Sequence, residues 1–133
     1  INPNEPEYWY VFAEVQEKLG FIEEAAMAYQ RVIELDYPDY DVWLDYSKLL
    51  HQGGYTTDAI ETLNTGIKKF PDVAELYYRL AVIKLDVNER KESMDLFARA
   101  IRMDYGKHNE IFEYAPILKN DNEILSLISA LKK

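Results

Sequence analysis

The sequence contains no cysteine and no long apolar run, and it is poor in glycine and proline. Without cysteine, a disulfide framework, thiol catalysis and cysteine-ligated zinc are excluded. Every apolar run is far shorter than the ~20 residues needed to cross a bilayer, so we expect no membrane partner. The five glycines and five prolines are few enough that each can mark a break between structured segments.

Basic residues are scarce in the first third of the chain. Residues 1–46 hold eleven aspartates and glutamates but only two lysines and arginines, whereas residues 47–133 hold thirteen of each kind. Nucleic acid is a poor partner for the acidic end, because phosphate backbones require clustered lysine and arginine. A basic partner would be attracted to it, although a solvated acidic face that keeps the protein soluble explains the same charge.

The chain opens with INPNEP, which has neither the basic start nor the apolar stretch of a signal peptide. Because the first residue is isoleucine rather than methionine, we expect a processed chain or a piece of a longer one. We expect its location to be the cytoplasm. With 133 residues and 48% apolar content, residues 1–133 are expected to form a single domain that buries a core without disulfide bonds or a structural metal ion.

Helical apolar spacing fills the stretches between the glycines and prolines. Gly20 is expected to end the first helix in the left-handed conformation, and Asp72 with Glu75 to cap the fifth. A polar cap starts DNEILSLISALKK, where Ile124 and Ile128 belong to an apolar stripe that can cover a neighbouring helix. The pattern predicts eight helices, at about 5–19, 22–35, 40–52, 55–69, 73–85, 90–103, 109–118 and 122–132.

A period of 34 residues runs through the chain, because Trp9, Trp43 and Tyr77 stand 34 residues apart. The same shift aligns nine positions, of which eight are Ala, Ser or Gly, although these types make up only 20 of the 133 residues. Small side chains on facing helices let the axes approach within ~8–10 Å, so we expect them to be buried. The nine residues are Ala13, Ala25, Val32, Ser47, Ala59, Gly66, Ala81, Ser93 and Ala100.

A 34-residue period of helix pairs resembles the tetratricopeptide repeat family. The resemblance covers residues 6–105 and implies an all-α fold, a right-handed superhelical solenoid of antiparallel helix pairs with about eight helices. Repeats are expected at 6–39, 40–73 and 74–107, followed by a degenerate fourth helix pair or C-terminal cap at 108–133. In that last segment Ile111 stands at the tryptophan position, and Pro116 should kink or shorten the seventh helix.

The stretch LLHQGGYTT combines a histidine with paired glycines and so suggests a catalytic or phosphate-binding loop. Phosphate loops, however, place several glycines and a lysine between a strand and a helix, and no strand is predicted here. Within the repeat, Gly53 and Gly54 occupy the turn between two helices. His51 lacks the companion groups that catalysis requires, so we predict no enzymatic activity, no cofactor and no metal site.

The resemblance implies that the first helix of each repeat lines a concave inner groove. One position of the repeat carries apolar, mostly aromatic residues at intervals of 34, and charged residues flank them. These residues are Tyr10, Leu44, Tyr78 and Phe112. Tyr10 and Tyr78 can alternatively pack between neighbouring first helices, since periodic aromatics are more often core than site. The predicted groove residues for peptide or protein binding are Tyr10, Glu14, Leu44, Asp45, Lys48, His51, Tyr78, Arg79 and Val82.

Carboxylates along the predicted groove bear on the choice of ligand. Family members that clamp a peptide C-terminus by two carboxylates use lysine and asparagine where this chain has Tyr10 and Glu14, and only Arg79 fits their pattern. We therefore expect no two-carboxylate clamp. A second ladder of acids falls in the first turns of helices, where the helix dipole favours each by ~0.3–1 kcal/mol, and we prefer that role to ligand binding. Its members are Glu7, Asp41 and Glu75.

These features predict a non-enzymatic scaffold that binds a peptide or partner helix, basic or apolar in character, in the groove. The alternative is a structural or self-association segment of a longer protein built from such repeats. RNA binding by related helical repeats usually comes with a basic groove, whereas this groove is predicted to be neutral to acidic.

Overall fold

The computed structural model describes residues 4–132, which form eight α-helices and two short 3₁₀ segments, with no strand in that range. The prediction of an all-α fold with eight helices is confirmed. The helices are α1 (Pro6–Lys18), α2 (Ile22–Glu34), α3 (Asp41–Gln52), α4 (Thr56–Lys69), α5 (Ala74–Asp86), α6 (Arg90–Met103), α7 (Glu110–Tyr114) and α8 (Asn122–Ala130). The 3₁₀ segments are Tyr105–Lys107 and Pro116–Asn120.

The chain forms two compact units, the first ending at Thr62 and the second beginning at Leu63, so that the boundary lies within α4. In the first unit α1 packs against α2, and α2 packs against α3. In the second unit α5 packs against both α6 and α7, while α8 packs against α6. Each unit therefore contains at least one antiparallel helix pair of the predicted kind. Among residues 4–132, no helix has the length and apolar character needed to cross a membrane.

The aligned small residues are all buried, as the 34-residue period predicts. In the second unit the hydroxyl of Ser93 on α6 donates to the backbone oxygen of Ala81 on α5, with 2.6 Å between the oxygens. The hydroxyl of Ser47 donates to the backbone oxygen of Leu44 at 3.0 Å. These bonds satisfy polar groups that would otherwise be costly to bury, so that serine can stand where the helices meet closely.

Left-handed backbone conformations recur every 34 residues at the turns that follow α1, α3 and α5. Gly20 has φ +83°, Gly54 has φ +89° and Asn88 has φ +62°. Glycine reaches this region without cost and asparagine tolerates it better than most residues, which accounts for the residue types found. The predictions that Gly20 ends the first helix and that Gly53 and Gly54 form an interhelical turn are confirmed.

Two local predictions in the second unit had different outcomes. The predicted cap at Asp72 is wrong: α5 begins at Ala74, its N-cap is Val73, and no side chain caps it. The predicted shortening by Pro116 is confirmed, because α7 ends at Tyr114 and the chain continues as a 3₁₀ segment from Pro116. Proline lacks the N–H that an uninterrupted helix needs at this point.

The last helix, α8, has both the predicted polar cap and the predicted apolar stripe. Asp121 Oδ1 accepts from the backbone N–H of Ile124 at 3.1 Å, and Asp121 Oδ2 accepts from Arg90 of α6 at 2.7 Å. Arg90 also donates to Glu123 at 2.6 Å. Ile124 and Ile128 belong to the core cluster of the second unit, and Leu127 and Leu131 pack against it. The ion pairs and the stripe together attach α8 to α6.

Replacing Asp121 with alanine is expected to lower the free energy of unfolding by about 1–2 kcal/mol, because the N-cap and the Arg90 ion pair are lost together. Asp121→Asn is the matched control, since asparagine keeps the cap but not the charge, and it should cost less than about 1 kcal/mol. The bond from Arg90 lowers the pKa of Asp121, so its contribution is present above pH ~4 and disappears as the pH falls further. Urea unfolding at neutral and acidic pH measures both effects, and equal losses in the two variants would contradict the capping role.

Candidate functional site

The first unit carries six of the predicted groove residues, on α1 and α3. The hydroxyl of Tyr10 on α1 donates to Asp45 on α3, so these two predicted residues are brought into direct contact. Glu14 and Lys48 are exposed, whereas Leu44 and His51 are half-buried. The facing surfaces of α1 and α3 therefore hold an aromatic and a carboxylate next to accessible charged side chains.

An open cleft of about 290 Å³ lies at one end of this surface. Three carboxylates, two phenol rings and one valine line it: Glu7, Tyr10, Val11, Glu14, Tyr37 and Asp41. The rings of Tyr10 and Tyr37 meet edge to face, with 5.3 Å between their centroids. Among the described residues 4–132, those that line the cleft include no lysine or arginine to neutralise its carboxylates.

Tyr37 was not predicted, because it lies in the loop after α2 and outside the helical positions that line a repeat groove. Glu7 and Asp41 were assigned to the helix dipole, and each does stand in the first turn of its helix. Both also line the cleft, so the dipole role and a place in the cleft are compatible. The neighbouring Asp36 has φ +56°, a left-handed conformation that aspartate tolerates better than most residues, and only the structure shows it.

The electrostatics of the cleft disfavour additional negative charge. Burial raises the pKa of Tyr10, and the bond to Asp45 and the nearby charge of Asp41 raise it further. The pKa of Tyr37 is also raised, by desolvation and then by the surrounding carboxylates, among them Asp39 and Glu7. Desolvation disfavours a charge of either sign, whereas the carboxylates that raise these pKa values further would attract a cation.

In the second unit, Tyr78 and Val82 do not line an open surface. Tyr78 is 0% exposed and Val82 is 5% exposed, both within a core cluster that includes Phe97 and Ile111. The hydroxyl of Tyr78 donates to the backbone oxygen of Asp104 at 2.8 Å. Their predicted place in the groove is corrected: α7 packs against α5 and encloses them, which corresponds to the packing role left open for Tyr78.

Arg79 is the remaining predicted residue of the second unit, and it is half-buried. Its guanidinium carbon lies 3.8 Å from the centre of the Tyr114 ring, in a cation–π arrangement. The hydroxyl of Tyr114 donates to Glu110 at 2.7 Å, which holds the ring in place. On the same helix, Glu75 accepts from Lys107 at 2.8 Å. Tyr114 therefore restrains Arg79, a contact that the repeat pattern did not predict because α7 is irregular.

The 34-residue period corresponds to a known repeat family. The family described as "Tetratricopeptide repeat" matches residues 6–39, 40–83 and 74–106. The pre-mRNA-splicing factor cwf3 of Schizosaccharomyces pombe is 26% identical over 98 residues, which cover 70% of this chain and 12% of that protein. The chain thus spans about an eighth of the length of that curated relative.

Solved structures with the same fold include PcrH and the type III secretion chaperone SycD. PcrH from Pseudomonas aeruginosa superposes with a TM-score of 0.72 at 14% identity, covering 98% of this chain and 94% of that one. A further PcrH structure contains the chaperone binding region of PopB. SycD from Yersinia enterocolitica, in complex with a peptide of the translocator YopD, superposes with a TM-score of 0.69 at 19% identity, covering 94% of this chain and 90% of that one.

Proposed function

The chain belongs to the tetratricopeptide repeat family, and on that premise we propose that it is a non-enzymatic interaction module that binds a peptide with a basic side chain in the first-unit cleft. The observation that carries the proposal is the lining of the cleft, in which three carboxylates stand beside two phenol rings. PcrH and SycD, which have this fold, have been solved with a segment of PopB and a peptide of YopD, and this supports peptide binding in general.

The charge of the cleft supports a cationic ligand. A lysine or arginine about 4 Å from one carboxylate gains ~1 kcal/mol in water and ~4 kcal/mol where the effective dielectric constant is near 20. The faces of Tyr10 and Tyr37 add cation–π attraction of ~0.5–1 kcal/mol at an accessible site. The same carboxylates repel an anionic peptide terminus, which agrees with the absence of the two-carboxylate clamp pattern.

The size of the cleft supports one side chain as its occupant. A volume of about 290 Å³ stands at the lower end of the ~300–1,000 Å³ typical of small-molecule pockets. Leu44 is half-buried beside Asp45 on α3 and can contact an apolar residue that flanks the basic one. We therefore propose that the ligand is an otherwise apolar peptide segment with one basic side chain in the cleft. Its affinity would come from that side chain together with the apolar contacts of the flanking residues.

The proposal predicts that Glu7→Gln with Glu14→Gln weakens binding of a basic peptide. Removing two carboxylates at ~0.5–1 kcal/mol each should lower the affinity about 5–30-fold. The probe is a fluorescent, apolar nonapeptide with one central lysine, and its partner peptide carries glutamate at that place. Fluorescence anisotropy at two salt concentrations measures the affinity, and binding of the lysine peptide should weaken at the higher salt.

The matched control is Asp72→Asn with Asp95→Asn, which removes two exposed charges that do not line the cleft. It changes the net charge equally, so it should leave the affinity for the lysine peptide within about twofold. Thermal unfolding of each variant checks that the protein remains folded. The proposal is overturned if the glutamate peptide binds as tightly as the lysine peptide, or if the two double variants lose affinity equally.

A further inference from the structure

A second cleft of the first unit, of about 330 Å³, lies at the turns that follow α1 and α3. Phe21 and Tyr55 line it, and they are 52% and 45% exposed. The acidic cleft of the proposed function reaches the first turns of the same two helices, with Glu7 and Asp41, so the two clefts lie at opposite ends of α1 and α3. We call the second one the turn cleft, and its lining is Gly20, Phe21, Ile22, Glu23, Glu24, Gly53 and Tyr55.

The repeat does not require an aromatic side chain at position 21 or 55. Phe21 and Tyr55 are equivalent in the 34-residue period, and the third equivalent residue is Glu89. In all three the backbone N–H donates to the residue five positions earlier, and the backbone oxygen accepts from the residue four positions later. The side chain of Glu89 forms an ion pair with Lys84 at 3.3 Å. Since the fold accepts a charged residue here, the two accessible rings are not needed for the turn.

Glycine at position 53 keeps space open in the turn cleft. Its φ is −82°, which any residue adopts, and the equivalent positions carry Leu19 and Val87 at the ends of α1 and α5. A methyl group on Gly53 would lie 3.3 Å from a side-chain carbon of Ile22 and 3.3 Å from one of Tyr55. These distances are shorter than the ~3.5–4.0 Å that is optimal between carbon atoms. Space, not backbone conformation, therefore explains the glycine.

We propose that the turn cleft binds an arginine side chain presented by a partner protein. The planar guanidinium can lie against the exposed rings of Phe21 and Tyr55 while its edge donates hydrogen bonds to the carboxylates. Among the described residues 4–132, those that line the turn cleft include no lysine or arginine. Glu23 and Glu24 stand in the first turn of α2, where the helix dipole alone accounts for them, so the argument for a ligand begins with the exposed rings.

The second unit of the chain contains both kinds of arginine contact. The guanidinium carbon of Arg79 lies 3.8 Å from the centre of the Tyr114 ring. Arg90 donates to Asp121 at 2.7 Å and to Glu123 at 2.6 Å, at the beginning of α8. The turn cleft places rings and helix-start carboxylates together, so one arginine from a partner can make both contacts. Lysine fits less well, because its compact ammonium group has neither a planar face nor a fork of donors.

The test is an NMR titration of the ¹⁵N-labelled full chain with two capped peptides, acetyl-glycyl-arginyl-glycinamide and its lysine counterpart. We expect the arginine peptide to shift the amide signals of Glu24 and Gly53, and the lysine peptide to bind there several-fold more weakly. Phe21→Gln with Tyr55→Gln should lower the affinity for the arginine peptide about 5–30-fold, because two cation–π contacts are lost. The fold should tolerate these polar residues, since Glu89 stands at the equivalent position.

Met27→Gln with Ile117→Gln is the matched control. It replaces two exposed apolar side chains that do not line the turn cleft, so the affinity should stay within about twofold. Glu7→Gln with Glu14→Gln should also leave the shifts of Gly53 unchanged, because those carboxylates line the acidic cleft. The two clefts can therefore fail independently in these experiments.

Glu23→Gln with Glu24→Gln tests the same site without touching the rings, and it should lower the affinity about 5–30-fold. This variant decides the matter if circular dichroism shows that the glutamine substitutions of Phe21 and Tyr55 disturb the fold. The proposal is overturned if the shifts are confined to the acidic cleft, if the lysine peptide binds the turn cleft equally well, or if the control pair loses as much affinity. A concentration-dependent dimer that the Phe21 and Tyr55 substitutions dissociate would identify a second copy as the occupant and also overturn it.

Discussion

Tyr78→Ala is expected to lower the free energy of unfolding by about 3–5 kcal/mol, the range typical of truncating a large buried aromatic side chain. The ring is 0% exposed, and its hydroxyl bonds to the backbone oxygen of Asp104. The substitution removes the apolar contacts, leaves a cavity and deprives that oxygen of its donor. Chemical denaturation followed by circular dichroism measures the loss.

Two further variants separate the causes. Tyr78→Phe keeps the ring and removes the hydroxyl, so it should cost only about 0.5–1.5 kcal/mol. Tyr55→Ala truncates a tyrosine that is 45% exposed and should cost much less than Tyr78→Ala. If Tyr78→Ala were as stable as Tyr55→Ala, the enclosed position of Tyr78 would be wrong. A loss of peptide binding in Tyr78→Ala would therefore report damage to the second unit, not the removal of a ligand contact.

The second large effect expected is a steep loss of stability at alkaline pH. Burial raises the pKa of Tyr29 and of Tyr78, with further contributions from the hydrogen bond of Tyr29 to Glu17 and from Asp104 near Tyr78. In the unfolded chain both phenols titrate near pH 10. Because the folded-state pKa is the higher one, the native protein retains protons that the unfolded chain releases.

The sign follows from that difference in bound protons. Below pH ~10 the contribution of each buried phenol is fully present, and above it the free energy of unfolding falls by about 1.4 kcal/mol per pH unit for each phenol. Two phenols give about 2.8 kcal/mol per unit, a large share of the ~5–15 kcal/mol that stabilises a typical domain. We expect phenolate absorbance to rise cooperatively with the loss of helical circular dichroism.

Tyr29→Phe provides the control for the alkaline transition. It removes one of these two phenols, so the dependence on pH should become shallower by about 1.4 kcal/mol per unit, although the lost bond to Glu17 also lowers stability at neutral pH. Reversible titration of every tyrosine near pH 10, with the helices intact, would contradict the buried positions of these hydroxyls.

Local and periodic features could be predicted from the sequence. Apolar spacing and breakers located the helices to within a few residues, apart from the irregular seventh. The 34-residue shift identified the small residues at helix crossings, and Gly20 and Gly54 stand at equivalent turns. Each of these depends on a residue and its near neighbours, or on a contact between consecutive helices that recurs in every repeat. Such information is present in the order of the residues.

Only the tertiary structure decided which predicted groove residues are accessible. Tyr10 and Tyr78 occupy equivalent positions, yet Tyr10 lines a cleft and Tyr78 is enclosed, because the irregular α7 packs against α5. Tyr37 reaches Tyr10 from a loop that follows no helical pattern. Exposure depends on every segment that packs over a position, including segments without the repeat. A period in the sequence therefore determines equivalence between positions, and the packing of the non-repeating parts determines which of the equivalent residues face solvent.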